Sequence, residues 1–191
     1  MSTAQQVYTM LGNENLWETA SLCHAHLDDA KIDYSICGGV AVCLHGYQRN
    51  TVDIDLIVRA DDASQVQKIL SDAGFVWNQA NQEFKASSNI VVQFLIAGES
   101  AGHGMEVKIP EPSGTENVES IEGLNVVRLS RLIEMKLACG TANIRRTHKD
   151  FADVVELIAV RKLDGRFASL LHKSLRKTFR DLVKRVQSDE P

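Results

Sequence analysis

Two aspartates separated by one residue, Asp53 and Asp55, stand in the alternating run Thr51-Val52-Asp53-Ile54-Asp55-Leu56-Ile57-Val58. Side chains alternate along a β-strand. Val52, Ile54, Leu56 and Val58 are therefore expected on one face, and Thr51, Asp53, Asp55 and Ile57 on the other. The strand rise sets the two carboxylates about 7 Å apart. Their repulsion is about 0.6 kcal/mol in water and several-fold larger when partly buried. A divalent cation removes that penalty. Mg2+ (or Mn2+) suits such a pair, because it takes one or two carboxylates and fills its shell with phosphate oxygens.

Two further signals lie just upstream. Gly38-Gly39 ends the apolar run from Tyr34 to Cys37 and opens a small apolar stretch, Val40 to His45. Glycine lets backbone N–H groups approach a phosphate at a helix N-terminus. Arg49, in the polar loop between the two elements, offers charge-assisted hydrogen bonds to phosphate. Each signal alone is commonplace: a solvated strand face, a turn, a surface arginine. Their order between positions 38 and 55 makes the combination specific for nucleotide and metal binding.

The elements that must hold these residues are legible in outline. The first thirteen residues are weakly patterned and read as frayed chain or a short helix. A helix follows from Glu14, with Leu16, Ala20, Cys23, Leu27 and Ala30 on one stripe. Asp61 and Asp62 suit the start of another helix, which buries Val66, Ile69 and Leu70 and stops at Gly74. Short strands are expected at 75–77 and 83–85, and a strongly apolar one at 90–96, broken only by Gln93. Residues 97–118 read as a long irregular region with a possible strand at 105–109. A last strand is expected at 124–129. Ser130 then reads as the cap of a helix closed by Gly140, and Thr147 with Asp150 as a capping box. A final helix carries Leu171, Leu175, Phe179, Leu182 and Val186. The fold class expected is α+β: a mixed β-sheet with flanking helices over residues 1–129, followed by a C-terminal helical segment over 130–191 packed on that core.

Composition narrows the function classes. A chain of 191 residues with a net charge of −4 gives no global reason to bind nucleic acid or a membrane. No apolar run is long enough for a membrane span. The first residues lack the basic start and apolar core of a signal peptide. Cys23, Cys37, Cys43 and Cys139 are scattered within apolar patterns and read as reduced core thiols, which suits the cytoplasm. His24 and His26 do not share a helix face, which argues against a metal site there. His45, at the end of an apolar stretch, reads as structural. The last helix bears Lys173, Arg176, Lys177, Arg180, Lys184 and Arg185; this is a solvated cationic face, or a docking surface for RNA or an acidic protein.

The stretch GGVAVCLHGYQRNTVDIDLIV resembles the signature of the nucleotidyltransferase superfamily with the DNA polymerase beta-type fold. Its glycine pair, basic residue and T-x-D-[IV]-D-L wording look most like the AbiEii/AbiGii-toxin-like enzymes and related bacterial proteins. LSRLIEMKLACG and RRTHKDFADVVELI resemble the same family's C-terminal helices, so the likeness spans residues 30 to 165. It implies a nucleotidyltransferase: Mg2+ on an NTP, attack by an acceptor hydroxyl on the α-phosphate, and loss of pyrophosphate. Carried over, Asp53 and Asp55 are metal ligands and Gly38 and Gly39 form the phosphate turn. Arg49, Thr51 and Lys136 are nucleotide contacts, and Asp150 is an active-site residue beside the nucleotide. The acceptor is RNA, a protein or a small molecule. The last is the kind of acceptor implied by a similar GG…DID motif in the antibiotic nucleotidyltransferases. A toxin–antitoxin partner is also implied.

The chain departs from the pattern at one place. The family's third carboxylate is expected in a central strand, where this chain has Val91-Val92-Gln93-Phe94-Leu95. Glutamine can coordinate through its carbonyl oxygen but cannot serve as a carboxylate base. Gln93 is expected to point into the site. Glu83 or Glu106 could restore the charge from a neighbouring strand. The alternative is a degenerate, binding or regulatory member of the fold.

Overall fold

A computed structural model describes residues 3–189; residues 1, 2, 190 and 191, the extreme ends of the expected terminal segments, lie outside the described residues. Seven strands form one mixed sheet in the order β3-β4-β5-β2-β1-β7-β6. The strands are β1 (Ser35–Cys37), β2 (Asp53–Val58), β3 (Val76–Asn78), β4 (Glu83–Lys85), β5 (Val91–Ile96), β6 (Val118–Ile121) and β7 (Leu124–Val127). β2 runs antiparallel to β1 and parallel to β5. β1 is parallel to β7, and the two edges are antiparallel hairpins. This is the α+β class with a mixed sheet and flanking helices.

The central position of β2 explains its composition. A strand with neighbours on both sides and helices over it reads as a nearly continuous apolar run. Ile54, Leu56, Ile57 and Val58 are all fully buried. Asp53 and Asp55 are the exceptions, at the end where the sheet face opens. Val52 was expected on the core face, but it precedes the strand and is exposed.

Among the described residues seven α-helices accompany the sheet: α1 (Ala4–Met10), α2 (Glu14–Asp29), α3 (Gly38–Leu44), α4 (Ala63–Asp72), α5 (Leu129–Ala142), α6 (Ile144–Val160) and α7 (Arg176–Asp189). α1 is a defined helix with a capping box built from Thr3 and Gln6. α3 touches β1, β2, β7 and α5; α6 packs on α5, and α7 on α6. Two 3-10 turns, Gly165–Leu170 and Lys173–Leu175, lead into α7.

Further local expectations are corrected. Ser130 does not cap α5, which begins at Leu129 after Arg128. Gly140 does not close α5. It lies inside that helix, where a Cβ would come within 2.7 Å of the Phe151 ring, so it lets α5 and α6 approach closely. Thr147 does not cap α6 either. Asn143, the single residue between the helices, does so through the Arg145 N–H, and Thr147 donates back to the Gly140 carbonyl at 2.6 Å. The strand expected at 105–109 is reduced to one bridge, Ser100 to Lys108. Conversely, residues 118–121 form strand β6, which hairpins to β7 through Glu122 and Gly123, both at positive φ.

Candidate active site

The site forms where β1, β2 and β5 meet the start of α3 and the facing sides of α5 and α6. A cleft of about 230 Å3 there is lined by Gly38, Asp55, Gln93, Lys136, Arg146 and Asp150, among others. Cys37 pairs with Asp55 across β1 and β2, so Gly38 begins its helix directly beside the Asp55 carboxylate. Gly38 adopts φ +62, and a Cβ built on it would overlap Asp55 Oδ2. No other residue type fits both the dihedral and the space. A Cβ on Gly39 would come within 2.5 Å of Thr51 Oγ1 and 3.1 Å of the Arg49 guanidinium. The glycine pair is thus the packing surface for the residues the sequence singled out.

The two strand aspartates differ in their surroundings. Asp53 Oδ1 accepts a hydrogen bond from Thr51 Oγ1 at 2.6 Å. No protein group satisfies the Asp55 carboxylate among the described hydrogen bonds and ion pairs. Burial, and then the neighbouring Asp53, push its pKa up to about 6. Arg146, Lys136 and Lys149 pull the other way without cancelling the effect. Two carboxylates on one face, one of them deprived of compensation, suit a divalent cation that brings phosphate oxygens as its remaining ligands. Among the described residues no group of three or more His, Cys, Asp or Glu side chains is placed to hold a metal.

The cations are arranged differently. Arg49 Nε lies 2.7 Å from Asp153 Oδ1, and Lys136 Nζ lies 2.6 Å from Asp153 Oδ2. Lys136 also reaches Asp150 Oδ1 at 3.4 Å, and Arg146 Nε meets Asp150 Oδ2 at 3.0 Å. Asp150, Asp153 and Lys136 are buried. Burial alone would raise the Asp150 carboxyl; Arg146 and Lys136 outweigh it and hold the pKa below the ordinary carboxylate value. The result is a chain of alternating charge, Arg49–Asp153–Lys136–Asp150–Arg146, joining the loop before β2 to α5 and α6.

Gln93 lies in register with Asp55 on one side and Glu83 on the other, so all three side chains share one sheet face. Its Nε2 donates to Glu83 Oε2 at 3.3 Å. Glu106 sits elsewhere, in a hollow with Arg131, Glu134 and His172. Of the two carboxylates offered as substitutes, only Glu83 stands beside Gln93.

The sequence profile of aminoglycoside-2″-adenylyltransferase matches residues 21–154. The chain belongs to that family. Solved structures of similar fold include ANT(2″)-Ia in complex with adenylyl-2″-tobramycin, at 15% identity and TM-score 0.57 over 84% of this chain and 94% of that one. A nucleotidyltransferase-annotated structure from Thermotoga maritima aligns at 15% identity and TM-score 0.53 over 73% and 93% of the two chains. One from H. pylori aligns at 18% and 0.52 over 92% and 79%. At such identities these likenesses show the fold. No curated protein matches in sequence. The superfamily is the one the motif implied. The particular kinship with AbiEii/AbiGii-toxin-like enzymes rests on the motif wording alone, and the match falls in the adenylyltransferase branch. Family and fold together point to nucleotidyl transfer with an NTP as substrate.

The matched stretch ends just after Asp153, the buried aspartate that the sequence reading had not named as a site residue. Arg146 was missed as well. The signals were present: Arg146 and Asp150 are four apart on one helix, and Asp150 and Asp153 form the D-x-x-D of the second resembling segment. Gly38, Gly39, Thr51, Asp53, Asp55 and Gln93 come together as expected. Arg49 joins them, but its guanidinium is turned toward Asp153. His45 is buried and bonds the Val127 carbonyl at 2.8 Å, a structural contact. Cys37 is buried against the site, which raises its thiol pKa well above the ordinary value and leaves it unreactive. No helix among the described residues is long and apolar enough to cross a membrane.

Proposed function

We propose that this chain is a Mg2+-dependent nucleotidyltransferase that moves an NMP from an NTP to a hydroxyl of a small-molecule acceptor. The observation that carries the proposal is the uncompensated Asp55 carboxylate, packed against positive-φ Gly38 on the wall of a cleft that Lys136 and Arg146 also line. Asp53 and Asp55 would hold the ion, with Thr51 fixing the orientation of Asp53. When bound, Mg2+ supplies charge neutralisation and Lewis-acid polarisation of phosphate oxygens. Gly38, at the start of α3, lines the same cleft, and Arg146 presents a cation there. Lys136 and Arg49 act chiefly through the buried chain that positions α6. Family membership favours a small acceptor such as an aminoglycoside over RNA or a protein, and over a toxin–antitoxin partner.

A thermal-shift panel of ATP, GTP, CTP and UTP, with and without Mg2+, tests the proposal. A ligand at about 100 times its Kd adds about 2.7 kcal/mol, which raises the Tm by several degrees for a chain of this size. The expected result is a Mg2+-dependent rise that Asp55→Asn abolishes. A rise that survives in the variant, or no rise with any nucleotide, refutes it.

A second reading has a specific observation in its favour. Gln93 occupies the register position next to Asp55 where the motif leads one to expect a carboxylate. On that reading the chain binds nucleotide without turnover, and Gln93→Asp would create or greatly raise activity. Robust wild-type turnover excludes it.

A further inference from the structure

We propose that Glu83 is the general base of the transfer, taking the proton of the acceptor hydroxyl from one strand beyond Gln93; this rests on the nucleotidyl-transfer reading. Attack by a hydroxyl on the α-phosphorus releases a proton, and a positioned base to receive it is worth about 10²–10⁴-fold in rate. The acids around the cleft can be taken in turn. Asp53 and Asp55 are assigned to the cation. Asp150 is neutralised by Lys136 and Arg146, and Asp153 by Lys136 and Arg49. Glu106 lies in a different hollow, where its charged contact is His172, itself away from the cleft. Gln93 faces the cleft but has no basic atom.

Glu83 remains: it lines the neighbouring hollow with Trp77, Asn78 and Lys85, and its carboxylate meets Gln93, which lines the cleft. It is directly opposite Gln93 on the antiparallel neighbour β4, on the same face as Asp55. Its Oε2 accepts from Gln93 Nε2 at 3.3 Å and its Oε1 from Asn81 Nδ2 at 2.9 Å. Both donors are neutral amides, and no ion pair among the described residues involves Glu83. The carboxylate is therefore oriented without being neutralised. Gln93 is the positioning residue: its amide holds the base that it cannot itself be. Two strand spacings, about 10 Å, separate β2 from β4. That distance leaves space for a hydroxyl-bearing group between metal ligands and base, and the glutamate side chain is longer by one methylene than an aspartate would be.

The step balances. The acceptor oxygen forms a bond to the α-phosphorus. The bond from that phosphorus to the bridging oxygen breaks, and its electron pair leaves with pyrophosphate. The hydroxyl proton passes to the Glu83 carboxylate and then to solvent.

The test measures pyrophosphate release from ATP and Mg2+, with tobramycin as acceptor probe, for wild type, Glu83→Gln, Gln93→Asp and the double variant. Parallel thermal shifts record ATP binding and fold integrity. The expected result is a fall in kcat of about 10²–10³-fold for Glu83→Gln. The KM for ATP should stay within about twofold, and the double variant should recover activity through its restored carboxylate. Wild-type turnover that Glu83→Gln leaves unchanged overturns the proposal while sparing the nucleotidyl-transfer reading. So does a silent wild type beside an active Gln93→Asp. ATP bound with no release from any of the four, whether tobramycin or water is the acceptor, overturns it too. Failure of ATP to bind the wild type is instead the failure of the nucleotidyl-transfer reading itself.

Discussion

Two pairs of aspartates stand on the two sides of one cleft, which Asp55 and Asp150 line. On the helical wall, Asp150 and Asp153 are each held by two cations and are buried. On the sheet wall, Asp53 has one hydroxyl donor, and Asp55 has no protein partner among the described contacts. The residue type is the same and the roles are opposed. The first pair has its compensation built in, so its charge serves the packing of α5 on α6. The second pair leaves compensation to a ligand, so its charge is available for binding. Perturbation should separate the two walls by sign as well as by size.

The largest effect is expected on the helical wall. Lys136→Ala takes one of its two cations from each of two buried carboxylates. Removing one partner of a buried ion pair typically destabilises by about 3–5 kcal/mol. Urea unfolding should show that loss; a change below about 1 kcal/mol would mean that water compensates the pair. Gly38→Ala comes next, at about 1–3 kcal/mol, since it combines positive φ with overlap on Asp55. It should also abolish any Mg–nucleotide thermal shift.

Asp55→Asn should move stability the other way in metal-free protein, raising it by on the order of 1–2 kcal/mol. That figure lies below the full equivalent of the pKa shift because the carboxylate keeps some contact with water. The pH dependence follows with a definite sign. The folded-state pKa of Asp55 is about 6, against 3.8 for an unperturbed carboxyl. Between those values the folded protein holds more protons than the unfolded chain, so stability falls as pH rises across that window. Chemical denaturation in EDTA at several pH values should show this component in wild type and lack it in Asp55→Asn. Equal pH profiles would remove the contrast between the walls. The smallest effect belongs to Arg146→Gln, about 0.5–1 kcal/mol, because that side chain is half exposed and Lys136 still serves Asp150. A weakened Mg–ATP shift in that variant would show that Arg146 serves the ligand as well as the wall.

The sheet wall was legible in the sequence because its logic is local. Alternation fixes which residues share a face, and Gly38-Gly39 announces a close approach within a few residues of what it approaches. The helical wall was only half legible. Lys136 and Asp150 were singled out through resemblance, but the pairing that defines their work joins positions 49, 136, 146, 150 and 153 from three elements. Gly140 read as a helix stop because glycine often ends helices; its real cause, the Phe151 ring across the interface, is a tertiary contact. The start of α6 was misplaced because Thr147 and Asp150 mimic a capping box while Asn143, one residue past α5, does the capping. Strand β6 was overlooked because its hairpin turns on Glu122-Gly123, where asparagine or aspartate more often precedes the glycine. In the last helix, Arg176 stands apart from the exposed lysines and arginines, because it turns inward to the Leu171 and Ser169 carbonyls.

Glu122 does more than turn a hairpin. Its carboxylate accepts from the Ala4 N–H at 2.8 Å, fastening the first turn of α1 to the far edge of the sheet across 118 residues of chain. During synthesis α1 therefore emerges long before its anchor exists. At usual elongation rates the wait is roughly 6–24 s. Through that interval Val7 and Tyr8, buried in the finished fold, lack the anchor of their helix's first turn. The first turn of α1 is thus fastened by a residue made 118 positions after it.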